Sequence, residues 1–285
     1  MGCIDGGEAC GICRDVEREC EMKQPDPNAI HPMAGSERVS YVRQVQGEMK
    51  MENLDIAGRR CRIYAQDGSR CLLVQPLGEH EQETLALEAE YIASNAMIPF
   101  ALAAFEIGDW ERDLMPWGDP AVSKRPEAGS GAADTLGYLL EELLVWLKGP
   151  YGGLPVVLGG YSLAGLFSLW AARETHIFTG IAAASPSVWI QGWPEYAESH
   201  PCNAKQVYLS LGEREEKTRN RAIAQVGQRI RNEYALLKRQ LGGENCILEW
   251  NAGGHFVDSH LRTARAFIWN LGKAAESAVL KDPAS

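Results

Sequence analysis

No stretch of this chain approaches the roughly 18 uninterrupted apolar residues that a membrane-spanning helix requires, so no membrane partner is expected. Positive charge is also short: 28 Lys and Arg stand against 38 Asp and Glu, a formal net charge of -10. A surface of that sign repels phosphate backbones and carries no basic stripe, which argues against nucleic acid as a partner. The N-terminus lacks the apolar h-region of a secretory signal and has Asp5, Glu8, Asp15 and Glu17 instead, so a cytoplasmic location is expected. Sustained periodicity is missing over residues 1–48, where Pro25, Pro27 and Pro32 interrupt any helix. That segment reads as a poorly structured extension, and residues 49–285 as one domain, with Met33 or Met49 as possible functional starts.

Cysteine is not scarce. Four of the eight (Cys3, Cys10, Cys13 and Cys20) crowd the extension, and Cys10 and Cys13 have the spacing of a zinc knuckle. No strand or turn pattern surrounds them, so the plainer reading is an extension without metal, and no metal or organic cofactor is expected. Nothing in the pattern specifies an oligomeric state.

From residue 49 the pattern becomes regular. Residues 53–64 read as a hairpin around Ala57-Gly58, and 70–75, 99–107, 154–158, 178–184, 206–211 and 246–250 as apolar strands. Residues 76–81 read as a loop, 83–94 and 163–173 as helices, and 261–271 as a last helix. Leu136, Leu139, Leu140, Leu143, Leu144 and Leu147 mark a helix with Asp134 as its cap and Gly149-Pro150 as its stop. Ile223 to Leu241 is another, ended by Gly242-Gly243. Strands that are continuous apolar runs alternating with helices predict an α/β fold: a mostly parallel central sheet covered on both faces. In such sheets the chemistry sits at the carboxyl ends of the strands.

Gly160-Tyr161-Ser162-Leu163-Ala164 lies where an apolar strand meets an amphipathic helix and matches the nucleophile elbow G-x-S-x-[GA]. The serine there is strained, and only small residues fit two positions to either side, as Gly160 and Ala164 do. A serine hydroxyl needs a base. Of six histidines, His255 follows the last strand after Gly253-Gly254, while His260 reads as the start of the last helix. An orienting acid belongs after the penultimate strand, where Glu213, Glu215 and Glu216 all stand; position alone leaves the choice open. Backbone N–H groups of Leu163 and Leu77 are the candidate oxyanion donors. A loop of about 25 residues follows the strand ending near Ile107, long enough to suspect function. Its Trp110 and Trp117 read equally well as a substrate wall or as plugs onto the core, and Tyr161 and Trp189 are further pocket candidates. Only about 20 residues separate the strands near Ala184 and Gln206, too few for a large cap domain.

The run Gly160 to Phe167, then Ala182-Ala183-Ala184-Ser185-Pro186-Ser187, Gly212-x-x-Glu215 and Gly254-His255 resemble an esterase family of α/β-hydrolases. That family takes in feruloyl esterases, S-formylglutathione hydrolase, siderophore esterases and mycolyltransferases. The resemblance covers roughly residues 53–271. It implies an α/β-hydrolase fold, Ser162 as nucleophile, His255 as base, and Glu215 as acid through the Gly-x-x-acid pattern. Two departures are Ala164, where many members have glycine, and a glutamate where relatives often have aspartate. Hydrolysis of a small-molecule ester is the expected activity. Acyl transfer by the same triad, or a non-catalytic binding module on this fold, are the alternatives.

Overall fold

The computed structural model describes residues 49–79, 81–219 and 221–279. The cysteine-containing extension, and with it the zinc reading of Cys3, Cys10, Cys13 and Cys20, lies outside the described residues. Strands β1 (Met49–Ile56) and β2 (Arg59–Gln66) form an antiparallel hairpin. Its turn needs two successive left-handed residues, and Ala57 and Gly58 take φ of 49° and 81°. The Asp55 carboxylate accepts the Gly58 N–H at 2.9 Å and closes the turn.

Next come β3 (Leu72–Leu77), helix α1 (Leu85–Asn95) and β4 (Ala101–Glu106). Then follow α2 (Trp110–Leu114), α3 (Ala132–Tyr138), α4 (Leu144–Tyr151), β5 (Val156–Tyr161) and α5 (Leu163–Glu174). The chain continues through β6 (Gly180–Ala184), α6 (Trp193–Ser199), β7 (Gln206–Gly212), α7 (Val226–Leu241), β8 (Cys246–Asn251) and α8 (Ser259–Val279). The described strands make one eight-stranded sheet in the order β1-β2-β4-β3-β5-β6-β7-β8, antiparallel at β1-β2-β4 and parallel from there on. This is the expected mostly parallel α/β sheet, an α/β-hydrolase fold. Strand order reverses at β3, so the carboxyl ends of β3 and β5 flank the place where a crevice opens in such sheets.

Helices α1 and α8 pack on one face, where Leu85, Ala89 and Ile92 meet Leu73, Leu77, Phe267 and Leu271. Helix α5 lies on the other face against β5 and β6. Its residues Leu163 to Arg173 are all buried. Close approach explains one glycine: a Cβ on Gly159 would sit 2.7 Å from that of Ala182 and 2.8 Å from the Phe267 ring. Between β6 and β7 the chain carries α6 and no large cap.

Several expectations are corrected. Pro76 and Leu77 belong to β3 rather than to a loop. The long connection after β4 contains α2, capped by the Asp109 carboxylate accepting the Arg112 N–H at 3.0 Å. The leucine-rich helix starts at Ala132 behind Gly131, so Asp134 sits inside the first turn, where its charge suits the positive helix end. Gly131 is fixed there because a Cβ would lie 2.6 Å from the Asp113 carboxylate. Between α3 and α4 the same helix takes a π-helical turn at Leu139–Leu143. Nor do Gly149-Pro150 stop it: Pro150 occupies the last turn, and Gly152 is the first residue to leave the helix.

Candidate active site

The elbow is built from sterics. Ser162 takes φ 56° and ψ -115°, a strained conformation for a residue with a Cβ. Its N–H donates to the Ala184 carbonyl at 3.0 Å, and its own carbonyl accepts from Leu166 at 3.0 Å and Ser187 at 3.2 Å, which hold the turn shut. Gly160 must lack a side chain, since a Cβ would come within 2.5 Å of the Ala164 Cβ. Ala164 in the fifth position therefore fits because Gly160 gives way to it. The turn aims the Ser162 hydroxyl out of the sheet at the first residue of α5, whose N–H has no partner in its own helix.

Three loops converge on that hydroxyl. His255 Nε2 stands 3.0 Å from Ser162 Oγ, and its Nδ1 stands 2.7 Å from Glu215 Oε2. The Ser187 hydroxyl is a further neighbour, 3.3 Å from Ser162 Oγ. Of the three carboxylates open on position, Glu215 is the one that reaches His255. Glu213 is exposed, and Glu216 pairs with Arg231 at 3.1 Å. The Gly-x-x-Glu spacing has a local cause: the Gly212 N–H donates to Glu215 Oε1 at 2.7 Å, and a Cβ on Gly212 would lie 2.8 Å from that oxygen.

Glu215 is 6% exposed. Burial opposes its ionisation, but the hydrogen bond and charge of His255, the Gly212 N–H and the Ser185 hydroxyl outweigh it and hold the carboxyl below its usual range. Ser185 donates to Oε1 at 2.8 Å and takes φ 44° to do so, a second strained serine.

Three residues of this site were given no role from the sequence: Ser185, Ser187 and Arg262. The Arg262 guanidinium, almost wholly buried, donates from Nη1 to Glu215 Oε1 at 2.9 Å and to the Tyr161 phenol oxygen at 3.1 Å. Its Nη2 donates to the carbonyls of Ala252 at 3.0 Å and Gly254 at 2.9 Å, tying down the loop that carries His255. The Tyr161 hydroxyl donates in turn to the His255 carbonyl. Burial, with the Glu215 charge adding to it, pushes the Tyr161 phenol up, so it stays a donor. A signal did exist in the sequence. Arg262, Ala266 and Asn270 recur at helical spacing and all are buried, so polar groups occupy the inward stripe of α8.

Leu163 opens α5 and is buried, its N–H free of helix partners. The expected role of the Leu77 amide is corrected: Leu77 ends β3 opposite Glu106, its carbonyl accepts from Ile107 at 3.0 Å, and that parallel register turns its N–H to the Phe105 carbonyl. Trp110 borders a narrow crevice with Gln75, Pro76, Gly160 and Tyr161, and its ring lies over Gly78. Trp117 is engaged elsewhere. Its indole N–H donates to the Gln191 carbonyl at 2.8 Å, and its ring meets Trp193 at 6.3 Å and Tyr196 at 5.2 Å. With Asp119, which accepts the Gln191 N–H at 2.7 Å, it fastens the long connection to the entry of α6. Trp189 is buried in the turn that follows β6.

The family model described as "Putative esterase" matches residues 48–260. Among curated proteins no match was found. Solved structures do match. Siderophore hydrolase EstA from Aspergillus nidulans is 18% identical, with 86% of this chain and 100% of that chain covered and a TM-score of 0.62. An IroE-like serine hydrolase from Shewanella oneidensis is 15% identical over 79% of this chain and 80% of its own, with a TM-score of 0.59. Siderophore hydrolase EstB from Aspergillus nidulans is 16% identical over 82% and 97%, also with a TM-score of 0.59. At these identities the likeness establishes the fold.

Proposed function

This chain belongs to the esterase family and is a carboxylic ester hydrolase, and on that premise we propose that it works through an acyl-enzyme on Ser162, with His255 as base and Glu215 as orienting acid. The observation that carries this reading is the unbroken line Ser162 Oγ, His255 Nε2, His255 Nδ1, Glu215 Oε2, with steps of 3.0 and 2.7 Å. An ionised Glu215 only accepts, so Nδ1 must carry the proton and Nε2 is left with its lone pair toward the serine.

As Ser162 Oγ bonds to the ester carbonyl carbon, its proton passes to Nε2. The carbonyl oxygen gains the negative charge and is held by the N–H of Leu163 at the start of α5. The imidazolium, steadied by Glu215, then gives its proton to the departing alcohol oxygen as the carbon–oxygen bond breaks. Water repeats the attack on the acyl-enzyme with His255 again taking the proton, and the acid leaves. With only α6 between β6 and β7, the cleft suits accessible or bulky small-molecule esters.

Labelling with a fluorophosphonate probe, followed by mass spectrometry of the modified peptide, tests the reading. Adduct on Ser162 of the folded protein is expected, absent after heat denaturation and in His255→Ala. A folded protein that takes no adduct would overturn it.

A further inference from the structure

Phe256 and Val257, directly after His255, are 48% and 45% exposed. Large apolar side chains left half in water next to a reacting group call for an explanation that isolated surface residues do not. Their presentation is fixed by the backbone. The Val257 N–H donates to the Gly254 carbonyl at 3.3 Å, and Asp258 takes φ 53° before its carbonyl accepts the Arg262 N–H of α8 at 3.0 Å. Val257 is braced against Gly253, where a Cβ would lie 3.0 Å from its side chain. The Phe256 ring stands perpendicular to the His255 imidazole, with centroids 5.1 Å apart and an interplanar angle of 86°.

We propose that Phe256, with Val257 beside it, is a leaving-group subsite that selects esters of bulky apolar alcohols. The inference rests on the triad reading of Ser162, His255 and Glu215. When the acyl carbon–oxygen bond breaks, the electron pair stays on the alcohol oxygen, which takes the proton held on His255 Nε2. That oxygen must therefore lie within hydrogen-bond reach of Nε2, and the first carbons of the alcohol lie beside the imidazole. Two aromatic rings flank the imidazole. The Tyr161 ring, also 5.1 Å away, is buried, and its hydroxyl is engaged by the His255 carbonyl and Arg262, so that flank is closed. The Phe256 flank is open. An alcohol leaving past it meets an apolar ring and the Val257 methyls, and covering them removes apolar surface from water. The carbonyl oxygen, by contrast, points toward the Leu163 amide.

Acetate esters of methanol, butanol and benzyl alcohol test this, since the acyl group is constant and kcat/KM reports the step in which the alcohol leaves. In the native protein kcat/KM should rise about tenfold from methyl to benzyl acetate. In Phe256→Ala the benzyl-to-methyl ratio should fall to about one, in Phe256→Leu it should fall only partly, and in Leu87→Ala, an exposed apolar residue on α1, it should be unchanged. Lengthening the acyl chain at constant methanol should affect native and Phe256→Ala proteins alike. A flat alcohol series in a native protein that still labels on Ser162 overturns the subsite and leaves the triad reading intact. A benzyl preference that survives in Phe256→Ala overturns it as well. Absence of both hydrolysis and label would instead remove the triad reading, and the subsite with it.

Discussion

Arg262 Nη1 lies 2.9 Å from Oε1 of Glu215, with the two side chains 1% and 3% exposed. The oxygen not used by His255 is thus claimed by a guanidinium from α8, together with the Gly212 N–H and the Ser185 hydroxyl. The carboxylate can neither rotate nor take a proton without breaking several donors. Removing one partner of a buried pair costs more than the pair is worth, because the other charge stays behind. Arg262→Met should therefore lower unfolding stability by about 3–5 kcal/mol. It should also slow fluorophosphonate labelling of Ser162, because the carbonyls of Ala252 and Gly254 lose their anchor. Arg262→Lys keeps the charge but not the fork, and should fall between. Urea unfolding and labelling rates on the same samples check both.

Glu215 and its neighbour give a contrast within two residues. Glu215→Gln should reduce kcat/KM on a simple ester by about 10⁴-fold, since the wrong imidazole tautomer is then favoured. Glu216→Gln loses only a partly exposed pair with Arg231 and should change activity by less than about twofold. Comparable losses in the two variants would refute the assignment of the acid.

The Ser187 hydroxyl meets Ser162 Oγ at 3.3 Å, and the serine's own proton is directed at His255, so Ser187 is the donor in that contact. It restrains the rotamer of Ser162. Ser187→Ala should lower kcat by about 2–10-fold, the scale of one ordinary hydrogen bond, with KM little changed. Steady-state kinetics on one ester decides this, and a kcat equal to that of the native protein would remove the positioning role.

Glu88 on α1 is 5% exposed, its Oε1 has no hydrogen-bond partner among the described residues, and burial pushes its pKa up to about 8. The folded state therefore holds a proton that the unfolded chain gives up near the usual carboxylate value of about 4.3. Folded protein binds more protons between those limits, so this group makes stability fall as pH rises from about 5 to 8. Glu88→Gln should abolish that slope and be the more stable protein at pH 8, by on the order of a few kcal/mol. Urea midpoints at pH 5 and pH 8 for both proteins measure it. Midpoints that shift in parallel would show that Glu88 does not hold its proton in the folded state.

The hairpin at Ala57-Gly58, the alternation of apolar strands with helices and the stop of α7 at Gly242, which takes φ 90°, were legible because each is written within a few residues. The misread elements share a cause too. Gly131 caps α3 because of a side chain on α2, and the connection holding Trp110 and Trp117 is pinned to Gln191, 74 residues beyond Trp117. Neither contact leaves a periodic trace.

What the sequence by itself determined is the order of the candidate site residues: a serine, an acidic cluster and a histidine, each after an apolar strand that a parallel sheet must align. The small residues around Ser162 follow from the same local sterics, since a sharp turn excludes side chains within two positions whatever lies beyond. Only the tertiary structure decided what holds Glu215, the acid that the Gly212-x-x-Glu215 resemblance implied, against His255. The turn after β7 points neighbouring side chains in different directions, and that task falls to Arg262, 47 residues further on, and to Ser185, 30 residues earlier. Periodicity encodes which face of an element is buried. It does not encode which polar group waits on the other side of that burial, because that depends on the path of the whole chain.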